Sequence, residues 1–453
     1  MIILKSNKMK MRISVIILFT CLVVQSVAFN GKEKADNFTQ QIVTVGLRDA
    51  DINGSDNMAI QAAVDLLFYR GGGTVKILPG EYTLYNSVYL RSNVNIIGDR
   101  ESTILKRCPA VSSKLLVDAD VFEKQIIPAD PSLFKVGMGI VCRSNNLMNA
   151  MITAPLTIAG IENGKLYVND YIPFDFTAIL DSQGKGGYDG LVANVFPMLL
   201  GNRIENVIVD GLTINSFTKE DPGWQNVRTA GIFFGTCKNS VIRNVKVSNT
   251  QGDGILIADA SFNITVENCE SSDNTYHGIH PGSHSTSVTV KNCHFHHNGS
   301  DGIYICWGVK NSFFIENDVH HNGTRKIGKR NGISIGHKDT NNIIEGNHIH
   351  ENAISGIHFR TKTEANGAHN NVIKGNTIEN NGLPGHTDRG YGIFISGITH
   401  DILIGNNIIR ETRQEDSRLQ KNAIVLSPGV SRVQIINNEM SGHPEENVVD
   451  KSK

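Results

Sequence analysis

A parallel β-helix solenoid is the fold this sequence predicts, and two interleaved repeats carry the prediction. The first is a glycine (once an alanine) followed by isoleucine and a short alternation of polarity. It starts at Gly231, Gly254, Gly278, Gly302, Gly332, Gly356, Gly392 and Ala423, with spacings of 23, 24, 24, 30, 24, 36 and 31 residues. A near-constant period in the twenties, stretched by insertions, marks a chain of stacked coils. The second repeat lies half a coil away. It is a turn position flanked by apolar residues, occupied in order by Val245, Cys269, Cys293, Asn317, Asn347, Asn376, Asn406 and Asn438. Short alternating runs rich in Ile and Val and broken by Asn and Gly are strands, not helices. Like residues then stack about 4.8 Å apart, the strand spacing of a sheet, and an inward asparagine shares its amide with its neighbour and nearby backbone.

The elements follow in chain order. Lys5, Lys8, Lys10 and Arg12 precede an apolar run from Ile13 to Val24, and Ser26-Val27-Ala28 fits a small-x-small cleavage site. Residues 1–28 therefore read as a secretory signal peptide, with a secreted, periplasmic or extracellular product and no transmembrane span after cleavage. Residues 29–109 are expected to hold a cap and the first coils. Met58 to Phe68 is apolar at helical spacing, and strands are expected at Val88–Leu90 and Val94–Ile97. A helix there would cover the open end of the solenoid, where strand edges and core are otherwise exposed. Between 110 and 200 the repeat lapses. Phe134 to Cys142 and Gly164 to Asp170 read as strands of a small β insertion, and Gly184 to Gly190 as a flexible loop. The main β-helix resumes at 201 and occupies the chain to 453.

The run from Asp49 through Gly71-Gly-Gly and Leu78-Pro-Gly-Glu-Tyr82 to Ile97-Gly-Asp resembles the N-terminal segment of the pectate-lyase-like superfamily of right-handed parallel β-helices. That resemblance implies a carbohydrate-active extracellular protein, in a superfamily that includes lyases, hydrolases, epimerases and non-enzymatic adhesins. Three further phrases resemble polygalacturonases: Asn249-Thr-Gln-Gly-Asp-Gly-Ile, Gly332-Ile-Ser-Ile-Gly-His and Arg360-Thr-Lys-Thr. Where that family carries a paired aspartate, this chain has Tyr276-His277.

A formal net charge of −1 excludes the basic footprint of a nucleic-acid binder. Cys269 and Cys293 share a rung in adjacent coils and are expected as stacked thiols, with a disulfide between them left open. The chain is expected to be a monomer whose partner is an acidic polysaccharide.

In each Gly-Ile strand the isoleucine points inward and the next residue outward. The outward columns, with the residues just past them, bring His280, Tyr304, Trp307, His337, Lys338, His358, Arg360 and Lys362 to one face of the middle coils. Loops after the turn position add Lys329, Arg330 and Arg389 beside it. A cationic, aromatic-lined groove suits an extended acidic sugar chain. β-Elimination of a uronate needs a cation or proton donor on the carboxylate, a base for the adjacent proton and an acid for the leaving oxygen. Arg360 or Lys338 would neutralise the carboxylate, His337 or His358 act as base and Tyr304 as acid. His280, Trp307, Lys362, Arg330, Lys329 and Arg389 would bind substrate. The alternatives are inverting hydrolysis by a carboxylate pair, for which Asp253 and Asp301 are the candidates, and a surface protein that binds carbohydrate without catalysis. No metal site is assigned; the cofactor is left open, with Ca2+ as the candidate. His296, His320 and His350, followed by Glu379, form a second stack on a strand facing away from the groove.

Overall fold

A computed structural model of the protein describes residues 41–144, 155–178, 190–216, 229–325 and 329–452. The signal-peptide reading of residues 1–28 lies outside them, as do most of the 184–190 loop and residues 326–328 of the basic loop.

Among the described residues the strands form three long parallel sheets, of 13, 11 and 11 strands, and one six-stranded antiparallel sheet. One coil illustrates the path. Asp253–Ala258 lies in the first 11-stranded sheet, Phe262–Glu267 in the 13-stranded sheet and Glu270–Ser272 in the second 11-stranded sheet. The chain then returns to the first at Ile279–Pro281, one rung on. The predicted isoleucine column is the inner spine of that first sheet: Ile255, Ile279, Ile303, Ile333, Ile357, Ile393 and Ile424 pair in unbroken register. All are fully buried, each contributing about 1.5–3 kcal/mol of burial.

The predicted cap helix is α1, Asn57–Tyr69, begun by Asp56, whose carboxylate accepts from the Met58 and Ala59 N–H groups. Its buried face (Ile60, Ala63, Val64, Leu67) packs on strands Ile42–Gly46 and Gly73–Ile77. Gly71, Gly72 and Gly73 all have positive φ. A Cβ on Gly72 would come 2.6 Å from the Asn93 carbonyl oxygen, so the turn after the helix needs glycine there. The lapse in the repeat is filled by the antiparallel sheet, which runs from Ser112–Lys114 to Leu191–Ala193. It has its own apolar core, including Ile140, Ile158, Leu166, Phe176 and Val192. Its expected strand over Phe134 to Cys142 begins only at Gly139, because Lys135 to Met138 forms a turn with Gly137 at φ 87°.

Turn asparagines form the expected ladder. Asn317, Asn347 and Asn376 each donate from Nδ2 to the Oδ1 of the next rung, all at 2.9 Å. One rung of the sequence register is corrected: Asn376 bonds Asn407, not Asn406, and Asn407 in turn bonds Asn438. Asn406 has φ 54° and equates with Asn244, Asn268 and Asn292, the left-handed residue before the ladder position. Two adjacent asparagines hid the difference. Cys269 and Cys293 continue the ladder as free thiols, the Cys269 N–H lying 3.4 Å from the Cys293 sulfur. A second ladder, Asn274, Asn298, Asn322, Asn352, Asn381 and Gln420, runs parallel to it and is fully buried. Its signal is an asparagine five residues after each of Cys269, Cys293, Asn317, Asn347 and Asn376. Replacing Asn347 by leucine removes the oxygen that accepts from the Asn317 backbone and side-chain amides, and the amide that donates to the Phe314 carbonyl and the Asn376 oxygen. A loss of about 1–3 kcal/mol is expected, seen as a lower Tm; an unchanged Tm would contradict the ladder.

Candidate active site

The outward column of the first sheet is in register from coil to coil. Leu256 pairs with His280, Tyr304 with Ser334, Ser334 with His358 and His358 with Phe394. Its middle coils open a cavity of about 430 Å³ lined by Asp253, Tyr276, His280, Tyr304, Trp307, Lys329, His337, Arg360 and Lys362, with Thr229, Gly252, Ser283 and Cys306. Towards the N-terminal coils the same column is apolar. Phe233 and Leu256 join Leu200, Ala230 and Ala258 in a small separate cluster that closes that end.

Two residues face each other at the floor. His280 Nδ1 lies 2.9 Å from Asp253 Oδ2, a contact that sets an Nδ1 proton on the carboxylate side and turns Nε2 away from it. Burial pushes the Asp253 carboxyl up, but His280 and His277 outweigh it and hold it below its ordinary value. Tyr304, on the next rung, meets His280 edge to face with ring centroids 4.9 Å apart. Its ring is held between two others: His277 of the preceding coil stacks on it at 4.1 Å and 5°, and the Arg360 guanidinium carbon lies 4.4 Å from its centroid. Burial raises the Tyr304 hydroxyl well above its ordinary pKa, with Arg360 pulling the other way, so it remains a proton donor at neutral pH.

Arg360 sits deeper than its outward position suggests, at 4% exposure. Its Nη2 donates to the Ile305 and Gly336 carbonyls at 2.7 and 3.2 Å and lies 3.6 Å from Asp339 Oδ2. A Cβ on Gly336 would stand 3.1 Å from that of Arg360, so the missing side chain makes the room. Asp339 is fully buried and accepts the Gly308, Val309 and Gly336 N–H groups, each at 2.9 Å. Burial pushes its carboxyl up to about 7, against Arg360 and those three amides.

The cavity thus brings together His280, Tyr304, Trp307, His337, Arg360, Lys362, Lys329 and Asp253 from the sequence candidates. Five others lie outside its lining. Lys338 is exposed at the loop after Ile333–Ile335. Arg330, at φ 62°, packs over Gly323. Arg389 makes a two-pronged contact with Glu445, at 2.6 and 2.7 Å. His358 stacks on Phe394 at 5.1 Å and does not line the cavity, although it shares a coil with Arg360. Asp301 is buried beneath it, accepting from Ser334 Oγ at 2.6 Å, the Asn331 N–H at 2.9 Å and Ser300 Oγ at 3.0 Å. Burial would raise Asp301, but His277, Ser334 and Asn331 overcome it and hold the carboxyl at about 2. Sequence reasoning missed His277, Tyr276 and Asp339. The Tyr276-His277 pair stood out only as a departure from polygalacturonases, and Asp339 looked like the end of a polar loop.

Asp253, His277 and His280 present ligand atoms within 4.8 Å of one another. One carboxylate and two imidazoles do not suit Ca2+, which takes about six to eight oxygen ligands, so the Ca2+ candidate finds no matching donor set here.

Burial lowers the His358 imidazole to about 4, with Asp301 resisting and Arg360 and Lys329 assisting. Below its ordinary value of 6.5 the unfolded chain takes up a proton that the folded one refuses, so stability falls as pH drops from about 6.5 to about 4. His358→Phe keeps the ring on Phe394 and removes the titration. Its Tm is expected to vary less than the parent's over that interval, by a few degrees; an equal slope would reject the assignment.

The fold and the cavity define a right-handed parallel β-helix with a candidate catalytic groove on one sheet. Residues 42–304 match the family model described as rhamnogalacturonase A/epimerase, pectate lyase-like, and residues 230–409 match the model of the right-handed β-helix region. The chain belongs to the rhamnogalacturonase A/epimerase, pectate lyase-like family. Among solved structures it is similar to the A-module of mannuronan C-5 epimerase AlgE4 from Azotobacter vinelandii, with 14% identity, 89% of this chain and 97% of that one covered, and a TM-score of 0.56. The AlgE6 A-module of the same organism shares 15% identity over 88% of this chain and 95% of its own, at TM-score 0.51. The lidless DFA-IIIase of Arthrobacter chlorophenolicus A6 shares 11% identity over 90% and 92%, at TM-score 0.55. These are likenesses of fold. No curated protein sequence matches the chain. No helix among the described residues is long and apolar enough to cross a membrane.

Proposed function

We propose that this protein is a carbohydrate-active enzyme that cleaves a uronate-containing polysaccharide by β-elimination. The observation that carries the reading is the Asp253–His280 pair set edge to face against Tyr304 on the floor of a cavity edged by Lys329 and Lys362. His280 Nε2 takes the proton at C5 of the uronate, and Asp253 stabilises the imidazolium that forms. Lys329 and Lys362 neutralise the sugar carboxylate, which makes that proton acidic. Tyr304 gives its proton to the C4 oxygen as the C4–O bond breaks and a C4–C5 double bond forms. Arg360 acts through Tyr304, its charge beneath the ring easing loss of the phenolic proton. Base and acid rise from adjacent rungs of one wall, which favours a uronate whose C5 proton and C4 oxygen lie on the same face.

Inverting hydrolysis is less well supported. Asp301, at about 2 and closed in by hydrogen bonds, is a poor general acid and meets no substrate. Epimerisation at C5 shares the first proton transfer and is favoured by the likeness to two mannuronan C-5 epimerase modules. It differs in returning a proton to the opposite face instead of expelling the C4 oxygen. The N-terminal sequence supports work beyond the cytoplasm. The test is incubation with a panel of uronate polymers in D2O. Elimination predicts the ultraviolet absorbance of unsaturated uronate ends. Deuterium at C5 without that absorbance would establish epimerisation, and new reducing ends alone would establish hydrolysis. No change in any polymer would leave a binding protein.

A further inference from the structure

A different wall of the solenoid carries a histidine stack that the proposed reaction does not use. On the second 11-stranded sheet, Asp318 pairs in register with His348 and His320 with His350. His348 and His350 are two residues apart on one strand and therefore project from the same face. Asp318 Oδ1 lies 3.1 Å from His350 Nε2 and 3.8 Å from His348 Nδ1. One ligand atom from each of the three residues lies within 4.8 Å of the other two. Metal–nitrogen and metal–oxygen bonds of about 2.0–2.1 Å in a tetrahedron put ligand atoms about 3.3 Å apart, and the two distances to Asp318 bracket that value.

The second observation is behind the rings. Each histidine offers one nitrogen to Asp318 and turns the other to a carboxylate: His348 Nε2 is 2.9 Å from Glu379 Oε1, and His350 Nδ1 is 3.1 Å from Glu351 Oε2. Carboxylates at the far nitrogen fix the tautomer and orientation of a ligating imidazole and raise its basicity. Hydrogen bonding of two histidines to one aspartate does not require such backing.

We propose that Asp318, His348 and His350 form a binding site for a divalent transition-metal ion of the zinc class, open at its fourth position to water. Two nitrogens and one carboxylate suit Zn2+ or Co2+ and not the oxygen-seeking Ca2+ or Mg2+. Because Asp318 belongs to one coil and the histidines to the next, the ion clamps neighbouring rungs together. The site lies on a separate sheet from the cavity, and its occupancy is independent of the reaction proposed there.

The test uses the whole chain, freed of metal by chelator and then titrated with Co2+ and with Zn2+. The expected result is about one Co2+ per chain with the intense visible bands of low coordination, and a Tm raised by Zn2+ and restored by EDTA. His348→Gln, at a half-exposed position, and Asp318→Ala should each abolish both responses. His400→Gln, in the separate Glu364, His369 and His400 cluster, should change neither. The proposal is overturned if Zn2+ leaves the parent Tm unchanged, if both responses survive His348→Gln and Asp318→Ala, or if His400→Gln removes them.

Discussion

His280→Ala is expected to lower kcat on the cleaved polymer by at least about a hundredfold, the scale of a lost general base. Tm should fall only by the cost of leaving Asp253 without its partner at 2.9 Å, with the fold intact. His280 lies in the outward column, and the neighbouring strand pairing does not depend on its ring. Asp253→Asn tests the same step from behind. It keeps the shape but withdraws the charge that stabilises an imidazolium at 2.9 Å, so kcat should fall with little change in KM. Lys338→Ala and Arg389→Ala should keep most of the activity, since neither side chain lines the cavity. Near-full turnover in His280→Ala would move the reaction centre elsewhere and sink the elimination mechanism as drawn.

Arg360→Ala is expected to cost about 3 kcal/mol of stability, read as a lower midpoint in denaturant. Removing one partner of a buried ion pair leaves the other charge in a low-dielectric site, at a cost of about 3–5 kcal/mol. The lower end applies because Asp339, already pushed up to about 7, can take a proton instead. The sign of the pH dependence follows. In the variant the folded carboxyl rises further, so additional stability is lost above about pH 7, where the unfolded chain has long since ionised. The deficit should widen from pH 7 to pH 9. Activity should fall as well, because Tyr304 loses the guanidinium 4.4 Å from its ring. A deficit that does not vary with pH would mean that Asp339 is not the charge being stranded.

The repeat made the architecture legible because a solenoid writes its register into the sequence once per coil. Ile279 and Ile303 could be paired by counting, and they do pair. Outward columns were legible for the same reason, which is how His280, Tyr304 and Arg360 were found together. Depth was not. Arg360 and His358 occupy outward positions yet lie largely out of solvent, because neighbouring side chains and loops cover them, and alternation specifies a face without specifying what covers it. Partners from different parts of a coil were equally hidden. Asp253 was legible only as half of a hydrolytic carboxylate pair and not as the partner of His280, and Asp339 follows a loop outside every column. The Asn406 slip has a similar cause, since adjacent identical residues carry no phase.

Vertical distance in this molecule is independent of contour length. Tyr304 and Ser334 are direct strand partners across 30 residues of chain, and Ser334 and His358 are partners across 24. Both steps rise by one storey, and the added residues of the longer coil go sideways into the basic loop that brings Lys329 to the cavity. Insertions at such corners can rebuild the walls of the groove, and with them the sugars it accepts, without displacing His280 from Tyr304. Even one residue added inside a Gly-Ile strand would turn that floor's outward side chains inward. Descendants of this sequence therefore have wide latitude in which polymer they grip and almost none in the stacked groups that would act on it.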